Sequence, residues 1–101
     1  MYISRLAFHS LPGKTHELEQ GLLQLRDMVV KAGGAQPRVL RTHFASLGAP
    51  DIVFEQAAPD LAALESQLKH VTESPEFRQW TQQISGLLAQ SSKREIYQLI
   101  Q

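Results

Sequence analysis

The feature that most constrains the fold is the order in which two hydrophobic periodicities follow each other along the chain. In four segments of the chain, successive residues alternate between two faces of different composition, a pattern typical of strands. Two of these segments lie near the ends of the 101-residue chain, and two lie close together in its middle. The predicted strands cover residues 2–11, 38–45, 52–57 and 94–100.

Apolar residues at spacings of three and four predict helices in the two intervals between these strands. In the first interval a helix is expected over about residues 15–32. In the second interval the helix is broken in two. Its first part begins at Asp60 as N-cap. Its second part begins at Ser74, with Pro75 in the first helical position, where a missing N–H costs nothing.

The order of elements is therefore strand, helix, strand, strand, broken helix, strand. The turn-forming segment Gly48-Ala49-Pro50-Asp51 makes the two middle strands an antiparallel hairpin. Right-handed crossovers on both sides of this hairpin favour a ferredoxin-like βαββαβ arrangement. We predict an α+β fold in one domain over residues 1–101, with a four-stranded antiparallel sheet and helices on one face.

The two faces of the predicted sheet differ in composition. The helix-facing layer is predicted to hold Tyr2, Leu6, Phe8, Leu40, Phe44, Ile52 and Phe54. The other face is predicted to hold Ile3, Arg5, Ala7, His9, Val39, Arg41, His43, Val53 and Glu55. Because this second face is half apolar, we expect a partner to cover it, and a second copy of the chain is the simplest partner. Two such sheets packed face to face would form a dimeric barrel.

Three segments of the sequence resemble those of a known superfamily. The first strand runs into Leu11-Pro12-Gly13-Lys14, the third strand contains Val53-Phe54-Glu55, and Asp60–Leu64 leads to the segment from Ser74 to Trp80. In these features the chain resembles the dimeric α/β-barrel superfamily, which includes NIPSNAP-like proteins and antibiotic-biosynthesis-type monooxygenases. The resemblance implies a homodimer of ferredoxin-like domains. It also implies cofactor-free, monooxygenase-like activity as an alternative function.

The sequence departs from this superfamily at two places. Many monooxygenase-type relatives carry a histidine where this chain has Glu76. Trp80 is similar to the tryptophan of heme-degrading relatives, but the asparagine and the helix histidine that accompany it there have no counterpart here. We therefore interpret Trp80 as a core residue, and we assign no catalytic residue.

Composition argues against several classes of function. Ten basic and ten acidic residues cancel, so the chain lacks the positive excess that nucleic acid or an anionic membrane attracts. It has no cysteine, and its four histidines show no metal-ligand spacing, so neither a metal nor another cofactor is expected. No apolar run approaches the roughly 20 residues of a membrane span. We expect a cytoplasmic protein.

Most candidate ligand-binding residues lie on the mixed face of the predicted sheet. Buried charges are costly unless they are paired. Several of them on one half-buried face therefore indicate a salt-bridge network, a wet cavity or a site for a small anionic organic molecule. Arginine suits a carboxylate, and histidine exchanges a proton near neutral pH. The candidates are Arg5, His9, Arg41, His43, Glu55 and, on the last helix, Trp80.

Two kinds of function remain open at this point. One is small-molecule binding or cofactor-free oxygenation in a pocket between the sheet and the helices. The other is a non-catalytic dimerisation module whose mixed face is only an interface. A concave apolar pocket with converging polar groups would favour the first. RNA binding is disfavoured, because the sequence lacks both an aromatic RNA-binding strand and a positive charge.

Overall fold

The structure, a computed structural model, describes residues 1–34 and 36–101 and has the predicted α+β architecture. Strands and helices follow each other in the predicted order. The elements are β1 (Tyr2–Phe8), α1 (Thr15–Lys31), β2 (Arg38–Arg41), β3 (Ile52–Ala58), α2 (Leu61–Thr72), α3 (Pro75–Ser85) and β4 (Lys93–Gln98).

The four strands form an antiparallel sheet in the order β2-β3-β1-β4. The central strands are β1 and β3, and the edges are β2 and β4. Each helical connection joins two strands that are separated by one antiparallel neighbour, as in a ferredoxin-like sheet. The three helices pack against one face, which confirms the predicted fold. We call the opposite side the open face.

The hydrophobic core lies between the helices and the central strands. From the sheet, Phe8, Ile52 and Phe54 reach it and are at most 2% exposed. The helices contribute most of the apolar residues that their periodicity predicts, although Leu61 at the start of α2 is 44% exposed. These core residues are Leu18, Leu22, Leu25 and Val29 of α1, Val71 of α2, and Trp80 and Ile84 of α3.

The second strand is shorter than predicted, and Phe44 does not belong to the core. β2 ends at Arg41, which pairs with Ile52 at the start of β3. Pro50 has no N–H with which to extend this ladder. Phe44 therefore lies in the loop between β2 and β3, where it is 94% exposed, and its assignment to the helix-facing layer was wrong.

The structure also differs from the prediction in which residues of β2 point to each face of the sheet; we call this the phase of the strand. Leu40 lies on the open face opposite Val53, so its assignment to the helix-facing layer was wrong. Val39 points to the helices instead and packs against the core. Both residues are apolar and adjacent, so hydrophobicity alone did not distinguish the two phases.

Both predicted helix starts are confirmed. The Asp60 carboxylate accepts a hydrogen bond from the backbone N–H of Ala63 at 2.8 Å. The Ser74 hydroxyl accepts one from the backbone N–H of Phe77 at 3.2 Å, with Pro75 in the first position. These caps divide the second helical segment into α2 and α3. None of the helices in the described ranges is long and apolar enough to cross a membrane.

Helix α3 packs on α1 at a glycine. The indole Nε1–H of Trp80 donates to the carbonyl oxygen of Gly21 at 2.6 Å. A Cβ atom at Gly21 would lie 2.9 Å from Cγ2 of Ile84, which is closer than real Cβ atoms approach. Trp80 is 5% exposed, as expected for a core residue. The absence of a side chain at Gly21 therefore permits the close approach of the two helices.

Replacing this glycine tests the contact. Gly21→Ala is expected to lower the free energy of unfolding by on the order of 1 kcal/mol. Overpacking costs about 1–3 kcal/mol, and the gain in helix propensity offsets up to about 1 kcal/mol of it. Urea denaturation measures the change. Gly86→Ala is the matched control, because a Cβ atom there meets nothing within 4 Å. Equal stability of both variants would contradict the close contact.

Candidate functional site

Two predicted site residues face each other on the open face. Arg5 of β1 lies opposite Glu55 of β3, and Arg5 Nε donates to Glu55 Oε2 at 2.9 Å. Arg38 of β2 lies opposite Glu55 on the other side and donates to its second carboxylate oxygen. The Glu55 side chain is 3% exposed, whereas both arginines reach solvent. A salt-bridge network is therefore present on this face, and Arg38 is a member that the sequence prediction missed.

Two opposing effects act on the pKa of Glu55. Burial of the carboxyl group raises its pKa, whereas hydrogen bonds and attraction from Arg38 and Arg5 lower it. The lowering prevails, so the pKa of Glu55 lies below its ordinary value. Glu55 is therefore ionised at neutral pH, and its one negative charge offsets one of the two positive charges of Arg5 and Arg38.

The network continues onto the edge strand β4. The guanidinium carbon of Arg5 lies 5.3 Å from the ring centre of Tyr97, whose hydroxyl donates to the Glu95 carboxylate. Glu95 lies opposite Arg5 in the strand register. The sheet thus carries one row of alternating charge across all four strands. This charged row consists of Arg38, Glu55, Arg5 and Glu95.

Arg41 and His43 do not join the charged row. Arg41 points to the helix side, where its Nη2 donates to Oε1 of Glu19 on α1 at 2.8 Å. This pairing lowers the pKa of Glu19. His43 lies beyond the end of β2 in an exposed loop. The prediction that both residues share a face with Glu55 was wrong, because β2 pairs one residue out of the predicted phase and stops before His43.

His9 lies just after β1 and is half-buried. Its Nε2 donates to the carbonyl oxygen of Gly48 at 3.2 Å, and its Nδ1 accepts from the side-chain amide of Gln90 at 3.2 Å. His9 therefore connects the loop after β2 to the segment before β4. In the described part of the chain, no group of three or more acidic or histidine side chains is arranged to hold a metal ion.

A cleft of about 470 Å³ opens between α3 and the strands β1 and β4. Hydroxyl groups lie among its apolar walls, and Ser91 and Ser92 lie at the end next to β4. Trp80 is the member of the predicted candidate set that lines it. The apolar walls include Leu6, Phe8, Phe77, Trp80 and Leu88.

Arg94 is the charged residue among the described residues that line this cleft. Its Nη1 donates to Oγ of Ser4 at 3.0 Å, and Ser4 is 2% exposed. Arg94 as a whole is exposed; partial desolvation of its side chain beside the cleft lowers its pKa, but a guanidinium stays charged in proteins. Within residues 1–34 and 36–101, no carboxylate lies within ion-pairing distance of it. Its charge is therefore not compensated.

A narrow void of about 20 Å³ adjoins the cleft and shares Leu6, Phe77 and Arg94 with it. Gln56 lines this void, lies opposite Ser4 in the sheet and is 4% exposed. Its Nε2 has no hydrogen-bond partner in the part of the chain that the structure describes. A void of this size holds one water molecule or one small group of a ligand. Two polar donors, Arg94 and Gln56, thus line this void at the side of the cleft.

The sequence prediction did not select Arg94 or Gln56. Alternation places Arg94 on the same face of β4 as Ile96, and this was the signal available. The alternation does not show whether Arg94 and Ile96 point to the helices or to the open face. That assignment follows only from the register, in which Arg94 lies opposite Leu6.

Comparison with known proteins bears on the fold. No protein-family model and no curated protein sequence matches the chain. Among solved structures, it is similar to an uncharacterised NIPSNAP-domain protein from Burkholderia xenovorans, with a TM-score of 0.79 and 15% identity over 99% of this chain and 95% of that chain. It is also similar to a candidate antibiotic biosynthesis monooxygenase from Nitrosomonas europaea, with a TM-score of 0.73 and 16% identity over 100% of both chains.

A third similar structure is SnoaB, a cofactor-independent oxygenase from Streptomyces nogalater. Its TM-score is 0.65, with 16% identity over 99% of this chain and 91% of that chain. The chain therefore has the ferredoxin-like fold of the NIPSNAP-domain and antibiotic-biosynthesis-monooxygenase proteins, as the sequence resemblance predicted. At this level of identity the similarity defines the fold.

The Glu55 network predicts a pH dependence of stability. A carboxyl group whose pKa is lowered by folding stabilises the fold above its unfolded pKa, and this contribution is lost as the pH falls through the folded pKa. Glu55→Gln is expected to lower the free energy of unfolding at neutral pH by on the order of 1–2 kcal/mol. The difference from wild type should shrink as the pH falls below the ordinary value of 4.5.

Urea denaturation at a series of pH values between about 7 and 3 measures this difference. Glu65→Gln, on the exposed surface of α2, is the control and should follow the wild type throughout. A stability difference for Glu55→Gln that stays constant down to the lowest pH would contradict the assigned network.

Proposed function

We propose that the protein is a homodimer in which each subunit binds a small organic anion in the cleft between α3 and β4. The observation that carries the ligand part of this proposal is Arg94. It places an uncompensated positive charge on the wall of a largely apolar cleft. An apolar cavity with few polar groups is the usual form of a small-molecule site.

The chemistry of the cleft defines the class of ligand. The planar guanidinium of Arg94 suits a carboxylate or a similar planar anion, which it can hold by two hydrogen bonds. The apolar walls, among them Phe77 and Trp80, suit a hydrocarbon or aromatic body. The free amide donor of Gln56 suits a further acceptor atom of the ligand or a water molecule beside it.

The open face is the weaker candidate for an anion. There Arg5 and Arg38 already share the carboxylate of Glu55. An incoming anion would have to compete with this internal partner. The same anion meets no such competitor at Arg94, so the cleft is preferred over the charged row.

Cofactor-free oxygenation is the alternative use of the same cleft. SnoaB, which shares the fold, is a cofactor-independent oxygenase. General-base chemistry uses a carboxylate or an imidazole within hydrogen-bond reach of the substrate. The described lining residues of this cleft offer hydroxyl groups and Arg94 instead. We therefore propose ligand binding as the function and oxygenation as the alternative.

Matched probes test the role of Arg94. Adamantane-carboxylate and adamantane-methanol share one rigid body and differ in charge. Trp80, the single tryptophan of the chain, lines the cleft and reports binding of either by its fluorescence. Arg94→Gln is expected to weaken binding of the carboxylate by about 10- to 100-fold, since a hydrogen bond to a charged group contributes about 1.5–3 kcal/mol. Binding of the alcohol should change little.

Arg78→Gln is the matched control, because Arg78 lies exposed on α3 and does not line the cleft. Equal affinity of wild type and Arg94→Gln for the carboxylate would contradict the proposed site. No binding of either probe by the wild type would favour the non-catalytic dimerisation module.

The dimer part of the proposal depends on the open face of the sheet. None of the described helices covers this face, although apolar and charged residues alternate on it. Leu40 and Tyr97 are 40% and 44% exposed there. The other apolar residues of the face are Ile3, Ala7, Val53 and Ala57. A second copy of the chain would bury them.

The charged row favours one arrangement of the two copies. A two-fold axis parallel to the strands brings β2 against the partner's β4, and β3 against the partner's β1. Arg38 then faces the partner's Glu95, and the central residues of the row also meet opposite charges. An axis perpendicular to the strands at the level of the row would place every charge against its own copy. Electrostatic complementarity therefore favours the parallel axis.

A pair of charge reversals tests this arrangement. Arg38→Glu and Glu95→Arg are each expected to weaken the homodimer, because both inter-subunit pairs become repulsive. In a mixture of the two variants, one subunit of each kind restores two complementary pairs. The mixture should therefore regain dimers that neither variant forms alone. Light scattering over a dilution series measures the mass.

Arg26→Glu, an equally large charge change on the exposed side of α1, should leave the dimer intact. Two outcomes would contradict the proposed axis. One is that both single variants dimerise as the wild type does, and the other is that the mixture stays monomeric.

A further inference from the structure

The loop between β2 and β3 carries two apolar side chains that its own chain does not cover. Phe44 is 94% exposed and Leu47 is 105% exposed. The base of the loop is nevertheless held in place. Thr42 N–H donates to the carbonyl oxygen of Asp51 at 2.9 Å, and His9 donates to Gly48. The loop therefore presents its two apolar residues to solvent from a fixed base.

The loop and the mouth of the cleft lie at the same end of the sheet. β2 ends at Arg41, which pairs with Ile52, and Ile52 pairs with Phe8 at the end of β1. β4 begins at Lys93, which pairs with Ala7 one residue earlier. The loop leaves the β2 edge at this end, and the cleft opens beside the β4 edge at this end.

Within one chain, the two edges are separated by the central strands β1 and β3. Three strand spacings of about 4.8 Å each lie between β2 and β4. In the dimer proposed above, the two-fold axis parallel to the strands preserves the ends of the sheet and places β2 beside the partner's β4. The loop of each subunit then leaves its sheet at the end and edge where the partner's cleft opens, and it reaches the cleft, on the helix-facing side of the sheet, by passing around the partner's β4.

We infer that the loop between β2 and β3 of one subunit closes the ligand cleft of the other. This inference depends on the proposed dimer and ligand site. Phe44 and Leu47 supply apolar cover for a cleft whose walls include Phe77, Trp80 and Leu88. The ligand site is therefore composite, with Arg94 from one subunit and apolar cover from its partner.

Mixed dimers distinguish cover by the partner's loop from cover by the subunit's own loop. The first chain carries Phe44→Ser and Leu47→Ser, and the second carries Arg94→Gln. Each homodimer is expected to bind adamantane-carboxylate at least about 10-fold more weakly than wild type. In the mixed dimer, one cleft combines an intact Arg94 with the intact loop of the other chain. Co-expression with two different affinity tags isolates this mixed dimer.

The expected result is that each mixed dimer has one site that binds with wild-type affinity. The stoichiometry is then half that of the wild-type dimer. Calorimetry and Trp80 fluorescence measure both quantities. A mixed dimer without a wild-type site would overturn the inference while leaving the proposed function intact, provided that the wild type binds. A wild type that is monomeric, or that shows no binding dependent on Arg94, would overturn the proposed function and the inference with it.

Cross-linking gives a second measurement that needs no ligand. The chain has no cysteine, so single cysteines can be placed without background. Leu47→Cys in one chain and Ser91→Cys in the other are expected to be joined by a short bis-maleimide into a covalent dimer. Glu65→Cys, on the exposed face of α2, is the matched control for Ser91→Cys. Equal yields with both partners would overturn the inference.

Discussion

The contact between Trp80 and Gly21 determines how the helical layer sits on the sheet. Through it, α3 packs mainly against α1 and makes few contacts with β4. The helix-facing side of β4 is therefore left uncovered, and Ile96 on that side remains 49% exposed. The cleft is the space that this arrangement leaves between α3 and the edge of the sheet. A helix drawn closer to β4 would fill it.

The charged side chains at Glu55 on the open face and at Arg94 on the helix side differ in whether they have a partner of opposite charge. On the open face, Glu55 is held between Arg5 and Arg38, and Glu95 lies opposite Arg5 in the strand register. On the helix side, Arg94 has only the hydroxyl of Ser4. A compensated surface suits association with a copy of itself, because desolvation there costs less. An exposed cation without a carboxylate partner, beside apolar walls, suits an anionic ligand.

Much of the fold could be predicted from the sequence because its signals are local. The caps at Asp60 and Ser74 act on backbone groups within three residues, and the helical stripes need only periodicity. The phase of β2 could not be predicted in this way. Arg38-Val39-Leu40-Arg41 has one apolar and one charged residue on each side, whichever way the strand faces. The choice is made by distant partners, with Glu19 binding Arg41 and Glu55 binding Arg38.

The candidate site was harder to predict, because its members come from separate elements. Of the six candidates, the structure joins Arg5 with Glu55 and places Trp80 in the cleft wall. From the sequence alone, Arg94 is indistinguishable from an ordinary solvent-exposed residue of an edge strand. Its position beside the cleft follows from a register that brings it near the buried Ser4, and no local pattern encodes that register.

Ser4 and Arg5 are consecutive residues of β1, and they point to opposite faces of the sheet. Ser4 contacts the arginine of the cleft, and Arg5 belongs to the charged row. In the proposed dimer, a shift of β1 on binding of the proposed ligand would therefore also move a group of the subunit interface. Thermodynamic linkage makes such an effect reciprocal. A ligand that tightened the dimer would itself bind more tightly at higher protein concentration, so that occupancy of the cleft would follow the abundance of the chain.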